Sequence, residues 1–317
     1  MSDGDPAVTV VVPARDAAAT LGATLEALAA QDLETAYEVI VVDDGSTDAT
    51  AAIAESARLP VRVIRGPAEG PGSARNRGAE QARGRALAFT DADCRPTPAW
   101  LREGLAALEA ADLVQGRVEP DPHTPPGPFD HTIWVSGPSA LFETANLLIR
   151  RPLFERLGGF EDWLGLRTRK SLGEDVWLGW RARRADATVG FAEWALVHHA
   201  VIRRGPRDFV AERLRLFYFP ALVRRIPELR HELLTGGLFL SAETARFDLA
   251  LAGMIAAART GRRWALAGAL PQLARELGVA APHGRNAPLV AGARLSAGAV
   301  GLAALLAGSV RWRSPVL

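Results

Sequence analysis

The strongest constraint on the fold is a fourfold alternation of strand-like and helix-like segments in the first part of the chain. Apolar, β-branched runs are typical of buried strands. When such strands alternate with helices through short connections, they favour a parallel sheet covered by helices. The strand runs are AVTVVVPA (7–14), YEVIVVDD (37–44), VRVIRG (61–66) and RALAFTDAD (85–93).

Polar residues cluster at the carboxyl ends of three of these strands, where open α/β sheets bind their ligands. The clusters are Pro13–Asp16, Asp43–Asp48 and Asp91–Asp93. A carboxylate such as Asp43 or Asp44 can accept the imide N–H of uracil or the N–H groups of guanine. The Gly-Ser-Thr-Asp that follows also fits a purely structural turn and helix N-cap, so both interpretations stay open.

A glycine-rich segment, GPGSARNRG (70–78), precedes a predicted helix over 73–82. Free backbone N–H groups at the start of a helix can bind an anion. Arg75 and Arg77 offer bidentate contacts to phosphate. The alternative is an ordinary loop that caps a helix.

Two further acidic motifs carry the candidate chemistry. Asp91-Ala92-Asp93 places alternating carboxylates at a strand end, an arrangement that can hold Mg²⁺ or Mn²⁺ and bridge it to substrate phosphates. Glu174-Asp175 follows Gly173 and begins a predicted helix over 174–185. This pair is interpreted either as a helix cap or as a general base that removes a proton from an acceptor.

Several function classes are excluded by missing motifs. The chain has one cysteine, Cys94, which excludes a disulfide framework and a cysteine-based zinc site. It lacks a G-x-x-x-x-G-K-[ST] loop, a G-x-S-x-G elbow and a Rossmann fingerprint after the first strand. We expect no nucleic-acid partner, because the basic segment 203–230 contains few aromatic residues and the part before it is acidic.

The charge distribution divides the chain into two parts. Residues 1–200 contain 20 basic and 29 acidic residues, whereas residues 201–317 contain 17 basic and 7 acidic residues, a net charge of +10. The segments 207–225, 243–260, 262–279 and 288–310 combine arginines with apolar residues at helical spacing. We therefore predict a catalytic domain over 1–204 and a basic helical region over 205–317.

The basic region is predicted to attach to an anionic membrane surface. Segment 207–225 has the composition of a helix that lies in the lipid interface, and basic residues are attracted to anionic lipid. Segment 288–310 is long enough to span a bilayer, but Arg294 makes spanning marginal. The alternative is a soluble helical bundle. No apolar leader precedes the first strand, so the expected location is the cytoplasmic face of the cell membrane.

Together the motifs resemble those of family 2 glycosyltransferases with the GT-A fold, over roughly residues 7–200. The resemblance implies inverting transfer of a sugar from a nucleotide-diphosphate sugar to an acceptor, with a divalent metal, and so a doubly wound, mostly parallel α/β sheet. The matching strings are PARD (13–16), VVDDGSTD (41–48), GPGSARNRG (70–78), FTDAD (89–93), TANLLIRRPLFERLGGF (144–160) and GED (173–175).

The resemblance also implies roles for individual residues. Asp175, with Glu174 beside it, would be the catalytic base, and Asp93 would hold Mg²⁺ or Mn²⁺. His198 or His199 would add a metal ligand, although a buried structural histidine explains either residue as well. The implied nucleotide-sugar-binding residues are Pro13, Arg15, Asp16, Asp43, Asp44, Arg75 and Asp91, with Asp16 standing where many members carry Asn.

The expected partners are therefore a nucleotide-sugar donor and a glycan or lipid-linked acceptor in envelope, polysaccharide or glycolipid synthesis. The acceptor side is predicted within 120–170, which includes a proline-rich loop over 120–138. Two other classes stay open. A nucleotidyltransferase would normally carry a glycine-rich loop with a lysine near the first strand, and PARD has neither. A catalytically silent nucleotide-sugar-binding scaffold would keep the same motifs.

Overall fold

The computed structural model describes residues 5–164 and 173–317. The described chain divides into two compact units. The first contains the residues up to Pro126 together with Thr132–Ile202, and the second contains Gly127–His131 together with Arg203–Leu317. The assignment of separate roles to residues 1–204 and 205–317 stays a prediction.

The first unit is built on a mixed sheet of eight strands among the described residues, in the order β3-β2-β1-β4-β7-β6-β8-β5. Strands β3, β2, β1 and β4 are parallel to one another, and β6 is parallel to β8. Strand β7 is antiparallel to both of its neighbours, β4 and β6, and β5 is antiparallel to β8. The strands are β1 (Val8–Ala14), β2 (Tyr37–Asp43), β3 (Val61–Arg65), β4 (Ala86–Phe89), β5 (Cys94–Pro96), β6 (Leu113–Pro120), β7 (Leu147–Arg150) and β8 (Val189–His199).

The helices of the first unit follow the predicted alternation. Strands β1 and β4 are buried along their whole length, as their apolar composition predicts. The strand predicted over 85–93 ends earlier, at Phe89. The predicted helix at 73–82 begins two residues earlier, because Pro71 suits the first turn of a helix. The helices are α1 (Leu21–Ala29), α2 (Thr50–Glu55), α3 (Pro71–Glu80), α4 (Trp100–Glu109), α5 (Arg151–Leu157) and α6 (Glu174–Arg184), with a 3-10 turn at Thr144–Asn146.

Asn146 fixes the junction between β6 and β8. Its buried amide accepts a hydrogen bond from the indole of Trp100 at 2.8 Å and donates to the carbonyls of Arg117 and Ala195. The register of the β6–β8 pair shifts between Gly116 and Arg117. A Cβ atom on Gly116 would lie 2.3 Å from the amide nitrogen of Asn146, so this position requires glycine.

The second unit is helical among its described residues. Its helices are α7 (Pro206–Glu212), α8 (Phe219–Arg225), α9 (Leu229–Glu232), α10 (Ala242–Thr260), α11 (Leu270–Ala280) and α12 (Ala287–Trp312), with 3-10 segments at Arg213–Tyr218, Arg263–Ala269 and Ala281–Asn286.

The segment predicted as one interfacial helix, 207–225, has a different structure. It consists of α7, a 3-10 segment and α8, with Pro220 in the first turn of α8. Proline has no N–H to continue the preceding helix, so the chain is divided there. All three pieces pack against α12, and Leu222 is buried. The expectation of a single continuous helix was therefore wrong for this segment, and its location in the lipid interface stays a prediction.

One helical stretch of the described chain, Arg263–Trp312, is long and apolar enough to cross a membrane by length and composition alone. Only a third of its most apolar window is buried within the protein, which is consistent with membrane association. The stretch is not one continuous helix. At Gly284, φ is 54° and ψ is −120°, which separates α12 from α11.

Candidate active site

The loops that follow β1 and β2 are tied together by hydrogen bonds. Asp16, exposed and with a φ of 49°, accepts hydrogen bonds from the backbone N–H and the hydroxyl of Thr47. The backbone N–H of Asp16 donates to the hydroxyl of Ser46 at 2.9 Å. Asp48 accepts from the N–H of Ala18 at 3.0 Å. The two loops therefore form one rigid rim at the carboxyl edge of the sheet.

Asp43 and Asp44 are both buried but have different partners. Asp43 ends β2 opposite Ala14 of β1, and its Oδ1 accepts a hydrogen bond from the N–H of Ser46 at 3.0 Å. Both carboxylate oxygens of Asp44 accept backbone hydrogen bonds, from Glu69 at 3.0 Å and from Gly70 at 2.7 Å. Asp44 therefore anchors the loop that leads into α3.

Arg75 joins two acidic residues that are far apart in sequence. Its guanidinium lies 2.6 Å from Asp91 Oδ1 and 3.4 Å from Glu174 Oε1. The side chain is 5% exposed, and its ring neighbour is Phe160, 5.7 Å from the guanidinium carbon. These contacts bring the end of β4 and the start of α6 to the same place.

The structure resolves which of the two adjacent histidines faces Asp93. His199 Nε2 lies 3.6 Å from Asp93 Oδ2, and His199 pairs with Cys94 between β8 and β5. Because side chains alternate along a strand, His198 faces the other side. Burial lowers the pKa of His198, whose charged neighbours include Glu119. Of the two candidates, only His199 belongs to a group of potential metal ligands with Asp93.

Asp93 and His199 fit a divalent cation. His199 Nδ1 lies 2.7 Å from the carbonyl of Ala200. With Nδ1 donating its proton there, Nε2 presents a lone pair towards Asp93, which is the arrangement of metal-bound histidines. Burial raises the pKa of the Asp93 carboxyl, as expected where a positive charge completes the site.

Cys94 is the third residue of the group, but its chemistry does not suit a hard cation. It is fully buried, and burial raises the pKa of its thiol well above the usual value. Mg²⁺ and Mn²⁺ prefer oxygen ligands, whereas cysteine sulfur selects softer metals. The oxygen of Asp93 and the nitrogen of His199 are therefore the donor pair.

Asp175 lies in the first turn of α6, next to Glu174. It is half-buried, and its Oδ1 accepts a hydrogen bond from the N–H of Val176 at 2.8 Å. Burial, and then the neighbouring negative charge of Glu174, raise the pKa of Asp175 well above the ordinary aspartate value. A carboxylate with a raised pKa is a stronger base, which is the property that proton abstraction requires.

Glu143 lies close enough to Asp175 for their charges to interact, a proximity that no sequence pattern indicated. Burial raises its pKa, and its negative charge also contributes to the raised pKa of Asp175. It follows the fully buried Phe142, which has a φ of 53°. Phe142 packs on Gly179 of α6, where a Cβ atom would lie 2.1 Å from its ring. A single glutamate in a loop forms no recognisable motif. Its proximity to α6 depends on the packing of Phe142 on Gly179, which the local sequence does not reveal.

Pro13 and Arg15 lie at the end of β1. Pro13 is buried within the strand, and Arg15 is half-buried. One terminal nitrogen of Arg15, Nη1, is buried without a hydrogen-bond partner among the described residues. The Nε atom of Arg15 lies 3.9 Å from Asp16 Oδ2. An unpaired guanidinium nitrogen at this edge of the sheet is suited to an anionic ligand.

The predicted acceptor side is partly described. Its residues 165–170 lie outside the described residues. Close to the start of α6, the indole of Trp163 donates to the carbonyl of Gly173 at 3.2 Å. Trp177 donates to Glu161 Oε2 at 2.7 Å, whereas Trp180 is buried.

Comparison with known proteins identifies the family. The sequence model described as glycosyl transferase family 2 matches residues 9–157. Glycosyltransferase AglE of Haloferax volcanii is 32% identical over 197 residues, which are 57% of this chain and 62% of AglE. Residues 9–157 belong to glycosyltransferase family 2. The family assignment made from the motifs is confirmed.

Two further comparisons place the chain among similar proteins. Succinoglycan biosynthesis protein ExoO of Rhizobium meliloti is 42% identical over 111 residues, 34% of this chain and 32% of ExoO. The mannosyltransferase PcManGT from Pyrobaculum calidifontis, solved with GDP-Man and Mn²⁺, superposes with a TM-score of 0.59 at 19% identity. That superposition covers 98% of this chain and 88% of PcManGT, and it confirms the GT-A fold. The chain thus spans less than two thirds of the length of AglE and of ExoO.

Proposed function

We propose that this family 2 chain transfers a sugar, with inversion and with the help of Mg²⁺ or Mn²⁺, from a nucleotide-diphosphate sugar to an acceptor hydroxyl. The observation that carries the proposal is the bridge made by Arg75 between Asp91 and Glu174. It joins the end of β4, where Asp93 and His199 meet, to the start of α6, where Asp175 stands. A donor-binding edge and a base are thereby brought together.

Each residue has a role that follows from its surroundings. Asp43, with Arg15 and Asp91, would bind the nucleoside and diphosphate parts of the donor. Asp93 and His199 would hold the cation, which when bound neutralises negative charge on the leaving diphosphate. Arg75 and Glu174 are positioning residues, because Arg75 is buried and already paired with two carboxylates.

Asp175 performs the proton transfer. A carboxylate oxygen of Asp175 accepts the proton of the acceptor hydroxyl as the hydroxyl oxygen forms its bond to the anomeric carbon. The bond from that carbon to the diphosphate oxygen breaks on the opposite face, and the electron pair leaves with the nucleoside diphosphate. One displacement with one base inverts the configuration and requires no covalent intermediate.

The acceptor is proposed to be a glycan or a lipid-linked molecule of envelope, polysaccharide or glycolipid synthesis at the cytoplasmic face of the cell membrane. The relation to ExoO, a succinoglycan biosynthesis protein, supports a role in polysaccharide synthesis. The net charge of +10 over residues 201–317 supports attachment to an anionic membrane surface.

The test is release of nucleoside diphosphate from a panel of donor sugars, with and without Mn²⁺, comparing the wild type with Asp175→Asn. The variant should lose about 10²–10⁴-fold in kcat and keep its affinity for the donor nucleotide. Asp186→Asn is the matched control, since Asp186 is exposed just beyond the other end of α6. Release of pyrophosphate instead would indicate nucleotidyl transfer, and binding without turnover of any donor would indicate a silent scaffold. Equal kcat in wild type and Asp175→Asn would remove Asp175 from the base role.

A further inference from the structure

Helix α11 has its polar and apolar faces in the opposite places from those of an ordinary soluble helix. Leu270, Leu273 and Leu277 are 62%, 56% and 61% exposed. Their spacing puts them on one face of the helix. Gln272 and Glu276, only 6% and 4% exposed, face the interior of the second unit. A helix packed for water would bury the leucines and expose the glutamate.

The buried polar face of α11 is paired, which explains why it points inwards. Glu276 accepts hydrogen bonds from the guanidinium of Arg294 at 2.7 Å and from Gln272 at 2.9 Å. Arg294 also binds Glu243 on α10. A buried charge needs such partners, and removal of one partner would destabilise the protein because the remaining charge would be buried without compensation. This network fixes the rotation of α11 and holds the three leucines outwards.

The segment that leads into α11 continues the exposed apolar surface. Trp264 is 73% exposed and Leu266 is 44% exposed. Among residues 249–275, all of them described, the charged residues are four arginines, and all four are exposed: Arg259, Arg262, Arg263 and Arg275. Arg275 lies 3.4 Å from Glu243 Oε2. An apolar stripe next to exposed arginines such as Arg259, Arg262 and Arg263 is typical of a segment that lies at the surface of an anionic bilayer.

We propose that the surface made by Trp264, Leu266, Leu270, Leu273 and Leu277, hereafter the α11 surface, inserts into the interfacial layer of an anionic lipid leaflet, with arginines at its edge bound to the headgroups. This proposal rests on the proposed membrane location and names the element responsible. It replaces segment 207–225, which the sequence favoured and which packs against α12.

A second copy of the chain is the competing occupant of the α11 surface. Charge argues against it, because two such surfaces facing each other would bring like-charged arginines together at Arg259, Arg262 and Arg263. Anionic lipid supplies the opposite charge, and the leaflet interior receives the leucines and the indole of Trp264. The amphipathic rings of tryptophan prefer this layer of the membrane.

The first experiment places an environment-sensitive fluorophore at Leu273→Cys in the full chain. Labelling is selective because the native Cys94 is fully buried. With vesicles of phosphatidylglycerol and phosphatidylcholine, the emission should shift to the blue and intensify. The change should weaken with phosphatidylcholine alone and at about 1 M salt, where the Debye length is ~3 Å. A Leu214→Cys label, at an exposed leucine of the 207–225 segment, should change little.

The second experiment measures vesicle sedimentation of the variant with Leu270→Gln, Leu273→Gln and Leu277→Gln. Three leucines lost from the interface should lower the partition coefficient about tenfold or more, whereas Leu214→Gln should leave it unchanged. Unchanged binding of the triple variant would overturn the proposal. A blue shift at residue 273 without vesicles, with a concentration-dependent dimer by sedimentation velocity, would assign the surface to a second copy instead.

Failure of this proposal is distinguishable from failure of the proposed function. Nucleoside diphosphate release in detergent-free buffer with a soluble acceptor or water should be equal in wild type and triple variant, since no residue of the α11 surface lies in the unit with Asp175. Vesicle binding without turnover leaves the membrane proposal standing and removes the activity. Turnover without vesicle binding does the reverse.

Discussion

Replacing Asp44 by alanine should cost the protein more stability than replacing Asp43, although the two neighbours are 4% and 5% exposed. The difference lies in the hydrogen bonds. The Asp44 carboxylate accepts the backbone N–H groups of Glu69 and Gly70, whereas among the described residues only Ser46 donates a backbone N–H to the carboxylate of Asp43. Removing Asp44 therefore leaves two donors without their acceptor, and the one at Gly70 is buried.

The magnitude follows from the number of bonds. A hydrogen bond to a charged group contributes about 1.5–3 kcal/mol, so two bonds correspond to roughly 3–6 kcal/mol. Relief of the desolvation of a buried carboxylate offsets part of this, and we expect Asp44→Ala to lower the free energy of unfolding by about 3 kcal/mol. For a unit of this size that corresponds to a fall in Tm of roughly 6–12 °C. Asp44→Asn keeps one acceptor oxygen, so its free energy of unfolding should lie between those of the wild type and Asp44→Ala.

The same variants separate stability from ligand binding. Thermal unfolding followed by circular dichroism gives Tm, and calorimetry gives the affinity for nucleoside diphosphate. Asp43→Ala should lose about 1 kcal/mol of stability but tenfold or more in affinity, since the nucleobase N–H loses a charged acceptor. If Asp44→Ala melts within about 2 °C of the wild type, Asp44 does not anchor the loop. If Asp43→Ala binds the nucleotide normally, Asp43 does not contact the base.

Two further predictions concern the proposed metal and base. His199→Gln should raise the Mn²⁺ dissociation constant about tenfold or more, whereas His198→Gln should not. Calorimetric titration with Mn²⁺ checks this, and an equal loss of Mn²⁺ affinity in both variants would contradict it. Activity requires deprotonated Asp175, so kcat should fall as pH drops through its raised pKa. Glu174→Gln removes a negative charge that raises this pKa, so the acid limb of the kcat profile should move to lower pH; an unmoved or upward-shifted limb would contradict the assignment.

The sequence was sufficient to predict the sheet and the edge at which the candidate site lies. The buried runs at 7–14 and 37–44 are strands, and Asp43 stands at the strand end that the pattern indicated. Such predictions succeed because burial of β-branched runs and the placement of strand ends depend on local composition. The roles of single side chains depend on contacts made by distant parts of the chain, and these predictions stayed open.

The two histidines and the two aspartates illustrate this limit. Alternation along a strand predicts that His198 and His199 face opposite sides, but the phase of β8 relative to Asp93 is set by pairing with β5. In the same way, Asp44 is distinguished from Asp43 only because the loop at Glu69 and Gly70 turns its N–H groups towards it. Neither arrangement has a signature in the neighbouring residues.

Arg294 shows that the ion-pair partners of a charged residue cannot be read from the segment that contains it. Taken alone, an arginine within an apolar segment makes membrane insertion of that segment expensive. In the structure its partners are Glu243 and Glu276, which lie 51 and 18 residues earlier in the sequence. The arginine therefore stabilises the polar interior of the second unit, while Leu270, Leu273 and Leu277 of α11 are exposed.

The charges around Arg75 give a physical reason why donor binding, and not only the chemical step, should require a cation. Arg75 supplies one positive charge to its two partners Asp91 and Glu174, and Asp93 lies close enough to Asp91 for their negative charges to repel. Arg75 is already paired with both partners and is buried, so it has little capacity left to attract a diphosphate. A nucleotide-diphosphate sugar brought to this edge would meet excess negative charge at Asp93, and the Coulomb repulsion is strong at a partly buried position. A cation held by Asp93 and His199 would reverse that sign, so removal of metal should weaken nucleotide affinity as well as kcat.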